Sequence, residues 1–87
     1  IFQWLTIFIK QFIGVDTAIA ITIQMPNAPN KGRVITVKDS TGTAAANNIT
    51  VTTVGGVVLI DGAATYPINV NYGSASFVFD GAAYEVF

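Results

Sequence analysis

The 87-residue chain contains no cysteine and no histidine. Without cysteine there is no disulfide framework and no thiolate metal site, and the redox compartment is left open. Without histidine, the commonest general base is missing. Charge is also scarce. Only 10% of residues are charged, against roughly 25% in an ordinary soluble domain. The net charge is −1, and the basic residues are Lys10, Lys31, Arg33 and Lys38. Affinity for nucleic acid draws mainly on neutralised phosphates, so these four make a poor footprint and no nucleic-acid partner is expected. There is no acidic tail. The chain opens on Ile1 rather than Met, as expected of a processed product, a fragment or the ordered part of a longer chain.

Catalytic patterns are missing for the same reasons. Ser40, Ser74 and Ser76 have no histidine or evident lysine partner, and a serine without a base is inert. The acids are Asp16, Asp39, Asp61, Asp80 and Glu85. A glycosidase needs a placed carboxylate pair. However, Asp39, Asp61 and Asp80 each stand where a strand runs into a turn, and there aspartate commonly caps local backbone. A calcium site from these acids with Asn47 and Asn48 is a minor alternative on ligand type, but no loop has EF-hand spacing. Gly55-Gly56 and Gly73 form no phosphate loop, because no helix follows them. No enzyme activity, cofactor or metal is expected.

What the chain does have is apolar residues, at 52%. A domain this small has too much surface to hide them all within one copy. Burial between copies or against a larger partner is expected.

Residues 1–15, IFQWLTIFIKQFIGV, form the most apolar stretch. Ile1, Trp4, Leu5, Phe8, Ile9, Phe12 and Ile13 recur at helical spacing, yet Phe, Trp and Ile favour strands. The stretch falls short of the about 20 apolar residues that cross a bilayer, and Lys10 and Gln11 interrupt it. It has no signal-peptide cleavage site. Strands packed in an assembly are the favoured reading, with a packing helix and a membrane anchor as alternatives. Residues 1–11 are expected to lie outside the β module of residues 12–87. Their aromatics Phe2, Trp4 and Phe8, with Phe12, are candidate interface residues.

From Val15 onward the signals are those of strands. Ile19, Ile21 and Ile23 alternate with Ala20, Thr22 and Gln24, a period of two. Residues 25–32, MPNAPNKG, suit turns. RVITVKD over 33–39 reads as a strand, STGTAAANN over 40–48 as a loop, and ITVTTV over 49–54 as a strand. Gly55-Gly56 is expected to join that strand to VVLID in a tight hairpin. Asp61-Gly62 and Asp80-Gly81 are further turn signals, and the chain also turns around Gly73. Pro67 cannot donate to a ladder, so its strand is expected at an edge. Ala75, Phe77 and Phe79 share a face, and Tyr84 to Phe87 forms the last strand. Asp61-Gly62-Ala63-Ala64 echoes Asp80-Gly81-Ala82-Ala83, which reads as one turn chemistry used twice. The expected fold is all-β: a small antiparallel sandwich or β-prism-like module of seven to eight short strands.

Gly32-Arg33-Val34-Ile35-Thr36-Val37-Lys38-Asp39-Ser40-Thr41-Gly42 is followed by Ala44 to Asn48 and Ile49-Thr50-Val51. Then come Ile60-Asp61-Gly62, Ile68-Asn69-Val70-Asn71-Tyr72-Gly73-Ser74, and Asp80-Gly81 before Tyr84. This ordered set resembles a module near the ends of tail-fibre and other virion proteins of tailed phages and some large algal viruses. Ile13 to Thr17 and Ile21 to Pro29 suit its opening strands. The likeness covers roughly the last 75 residues. It implies a trimeric, virion-surface element that assembles with other virion structural proteins in an extracellular particle, and it brings no catalytic residues. Tyr84 stands where such modules often carry Trp, and residues 1–11 match nothing in them. Exposed loops that bind a host glycan or receptor are the alternative function, since loops on rigid β scaffolds are natural recognition surfaces.

Overall fold

A computed structural model describes residues 10–87. The described chain is all-β. Its strands are β1 (Lys10–Val15), β2 (Ile21–Met25), β3 (Val34–Asp39), β4 (Ile49–Thr53), β5 (Thr65–Ile68), β6 (Ser74–Phe79) and β7 (Tyr84–Val86). They form two sheets, of order β1-β3-β6-β7 (sheet A) and β2-β4-β5 (sheet B).

The period of two read in the sequence is what lets the sheets stack. Along β3, Ile35, Val37 and Asp39 are buried; along β6, Ala75, Phe77 and Phe79; along β4, Ile49, Val51 and Thr53. Alternate residues point to opposite faces of a strand, so each sheet turns one apolar face inward. Val15, Met25, Ile60, Ile68 and Tyr84 complete the core between the sheets. Tyr66 of sheet B meets Phe77 of sheet A edge-on, with ring centroids 5.6 Å apart and planes at 84°. Burying a side chain of Phe77's size stabilises the fold by roughly 1.5–3 kcal/mol.

The two-sheet, all-β class is the one expected, but strand pairing within it is mixed rather than antiparallel throughout. β3/β6, β4/β5 and β6/β7 are antiparallel, but β1/β3 and β2/β4 are parallel. The cause is that consecutive strands lie in different sheets. The chain makes three β-arches, each a strand, an arc and a strand in the facing sheet: β1–β2, β3–β4 and β5–β6. The first two run the same way and stack in parallel. The third is reversed by the long connection 54–64. All three arcs (16–20, 40–48 and 69–73) consequently lie at one end of the sandwich, the arc end. Connections 26–33, 54–64 and 80–83 lie at the other.

Three further expectations are corrected. Gly55-Gly56 does not join two strands: β4 runs into a short 3₁₀ turn, Val54–Gly56, and pairs with β5 instead. Residues 57–60 contribute only isolated bridges at Ile60, because Val57 and Leu59 have no core face to fill and stay exposed. Lys10 and Gln11 pair with Val34 and Ile35, so these two residues belong to the described β module, although the expected boundary at residue 12 left them out. Ile19 belongs to the first arc and is exposed, because β2 begins only at Ile21.

Candidate functional site

At the arc end one buried acid holds the three arches together. Asp39, the last residue of β3, is fully buried. Its Oδ1 accepts from the Thr17 hydroxyl at 2.8 Å, and from the backbone N–H groups of Thr41 at 3.1 Å and Gly42 at 2.9 Å. Its Oδ2 accepts from the N–H of Ala44 at 2.9 Å and of Tyr72 at 3.0 Å. Thr17 lies in the first arc, Thr41 to Ala44 in the second and Tyr72 in the third. Burial pushes the Asp39 carboxyl up, but hydrogen bonds from Tyr72, Thr17, Gly42 and Ala44 overrule it and hold the group well below the usual carboxylate range.

Threonines and an asparagine extend this network. Thr43 donates its hydroxyl to Thr17 O at 2.7 Å, Thr17 N–H donates to the Thr41 hydroxyl at 2.9 Å, and Asn47 donates its amide to Thr17 O at 2.8 Å. Gly42 has φ +87, and a Cβ there would lie 2.5 Å from the Tyr72 ring. Tyr72 itself takes φ +61 and is anchored by Lys38, whose Nζ donates to Tyr72 O at 2.7 Å and lies 5.8 Å from the ring centroid. The arrangement fixes arc geometry. It leaves both Asp39 oxygens occupied and no free base.

The turn residues singled out from sequence are spread through the connections. Gly55 and Gly56 have φ +69 and +66 in the 3₁₀ turn. Asp61 and Gly62 have φ +48 and +82 between Ile60 and Ala63, which exchange backbone hydrogen bonds at 2.7 and 2.9 Å. Two positive φ values in succession mark a type I′ turn. Gly73 has no positive φ, but a Cβ there would lie 2.7 Å from Val70 O. Asp80 accepts from the N–H of Ala82 and Ala83 at 2.8 and 2.9 Å, beside Gly81 at φ +104. Those two bonds hold the Asp80 carboxyl below its ordinary range, while its hydrogen bond to Glu85 pushes Glu85 up. Asp61 and Asp80 sit at the end opposite Asp39, so the three acids do not converge as ligands.

The remaining feature is the surface. Sheet B's outer face is polar: Thr22 and Gln24 of β2, Thr50 and Thr52 of β4, Thr65 and Pro67 of β5. Sheet A's outer face is mixed: it carries Thr36, Lys38, Ser74, Ser76 and Glu85 beside its apolar residues. Register places Phe12 beside Thr36 and Thr36 beside Ser76, and Phe87 exchanges backbone bonds with Ser76. This row is thus bounded by two aromatics, 64% and 72% exposed. The next row holds Val34 and Val78, both half-buried. Of the four candidate interface aromatics, Phe12 lies here; Phe2, Trp4 and Phe8 lie outside the described residues. Among the described residues, no helix is long and apolar enough to cross a membrane.

The network around Asp39 was missed by sequence reasoning, which gave Asp39 a local turn role. The Thr-Gly-Thr run after it hinted at the second arc. Nothing local signalled that Thr17 and Tyr72 would reach the same carboxylate.

No protein-family model, no curated protein and no solved structure matches the chain.

Proposed function

We propose that the chain is a non-enzymatic structural module of a virus particle, a fibre, spike or capsid-surface element that works by homo-oligomeric assembly. The observation that carries this reading is the contrast between the two outer faces. Sheet B's is threonine-rich, whereas sheet A's bears the exposed Phe12 and Phe87 at its two edges and the half-buried Val34 and Val78, among Thr36, Lys38, Ser74, Ser76 and Glu85. Phe12 and Phe87 are the side chains this reading places against other protein. The apolar stretch before β1 adds to it. The arcs supply rigidity: a buried carboxylate with five hydrogen bonds holds register without serving chemistry. The trimer and the virion location rest on the family resemblance. Other virion structural proteins are the expected further partners.

An antibody against the chain should label the surface of intact particles purified from the source. Labelling of cell debris with bare particles would contradict the virion reading.

A second reading has its own support. Tyr72, 60% exposed, is held rigidly at the arc end near the exposed Val70. Such a platform suits stacking against a host glycan or receptor. A glycan array probed with the chain and with Tyr72→Ala tests this: signal lost in the variant supports recognition, and no signal with either removes it.

A further inference from the structure

The two flanks of the sandwich are built differently. On one, the outermost strands are β7 and β5; on the other, β1 and β2. The first flank is blunted against strand addition, because β5 carries Pro67 and β7 has three residues and carries Glu85. The second carries neither proline nor an acid in KQFIGV and ITIQM, and its one charged residue is Lys10, at the first position of β1. Among the described residues, each of these strands pairs on one side only.

The free backbone groups of that flank can be assigned. Ile21 N–H donates to Asn48 O, and Ser40 N–H donates to Val15 O. Backbone groups alternate between the two sides of a strand, so Ile13, Val15, Ile21 and Ile23 turn theirs to β3 or β4. Phe12, Gly14, Thr22 and Gln24 turn theirs outward, to whatever comes next.

Residues 1–9, IFQWLTIFI, hold no Gly, Pro, Asn or Asp, the residues that a tight turn back along β1 draws on. They are also uncharged and join the fold at Lys10, on this flank.

We propose that the β1–β2 flank is the interface between copies of this chain, with β1 of one copy pairing antiparallel with β2 of the next. This rests on the assembly reading above. The arc 16–20 reverses the chain, so β1 and β2 run in opposite senses. A rotation axis parallel to the strands preserves every direction, and it therefore sets β1 of one copy antiparallel to β2 of its neighbour. Each copy offers one edge of each kind, so the ring closes with no open edge left on this flank. In the trimer of that reading, three such pairings close it. The strands match in length, at six and five residues. Phe12 comes beside Thr22 and Gln24 of the neighbouring copy on the shared outer surface.

The chain has no cysteine, so introduced thiols report pairing directly. Phe12→Cys combined with Gln24→Cys, or with Thr22→Cys, should give covalent oligomers on oxidation, while each single variant should give none. All three positions are exposed; circular dichroism confirms that the variants fold. Gln24→Pro, which removes an outward N–H, should dissociate the oligomer by light scattering, and Gln24→Ala should leave it intact. Crosslinking of Phe12→Cys alone would show two-fold β1–β1 pairing and overturn the proposal. So would an oligomer that survives Gln24→Pro and crosslinks through neither pair, although the assembly reading would stand. A monomeric native chain would overturn both.

Discussion

The Thr17 hydroxyl donates to the Asp39 carboxylate across 2.8 Å, with both side chains buried. They stand 22 residues apart, Thr17 in the first arc and Asp39 at the end of β3, where the second arc begins. This one bond, with the Tyr72 N–H on the other carboxylate oxygen, ties three separate chain reversals to one charge.

Asp39→Asn should therefore destabilise the fold more than any other acid-to-amide change. An amide keeps one acceptor oxygen and turns an NH₂ toward N–H donors. One set of partners is then unsatisfied in a buried site, which is costly. Thermal melting of Asp39→Asn against Glu85→Gln checks this: a clear drop for the first and little change for the second.

The same site sets the acid response. Asp39 is depressed in the folded state. Its contribution is thus present above the unfolded carboxylate value of about 3.9 and is lost as pH falls through the lower folded value. Asp80 acts in the same sense, while Glu85, raised by Asp80, acts in the opposite one. Urea midpoints from pH 7 to pH 2 should fall steeply below about pH 4. The Asp39→Asn variant, starting lower, should show a shallower fall.

Two glycines separate backbone strain from collision. Gly62 and Gly42 both have positive φ, but a Cβ on Gly62 meets nothing within 4 Å, and one on Gly42 meets the Tyr72 ring. Gly62→Ala should cost about 1 kcal/mol through backbone strain alone. Gly42→Ala should cost more, and Tyr72→Ser should recover part of the difference. Denaturant titration of the three variants measures it.

Tyr84→Phe tests the opposite end. The Tyr84 hydroxyl donates to Pro26 O at 2.7 Å, while its ring is buried against Phe79, with centroids 5.2 Å apart. Losing one such bond should cost about 1 kcal/mol, with the core otherwise kept. A denaturation midpoint shift of that size, without a change in slope, is the expected result.

Strand character was legible because it is local. The alternation at Ala75, Phe77 and Phe79 predicts an inward face, and Pro67 marks an edge. The two-sheet, all-β class followed from such segments. Strand partners were not legible. ITVTTV and VVLID look like a hairpin across Gly55-Gly56, but the period of two does not reveal which strand lies beside which. The parallel pairs arise from arches whose strands change sheet, and arcs of five and nine residues do not announce that. Asp39 was legible as a turn residue, whereas its contacts with Thr17 and Tyr72 exist only once three arcs share one end. Of the surface, Phe12 was picked out by its apolar context. Phe87, Val34 and Val78 were missed, because only register shows that they share an outer face with Phe12.

The central claim is that this chain acts by assembling with copies of itself. Multi-angle light scattering on the full chain at micromolar concentration tests it most directly. The account predicts a trimer, at three times the 9.2 kDa of one chain. A folded, soluble species of 9.2 kDa that persists as concentration rises would contradict it.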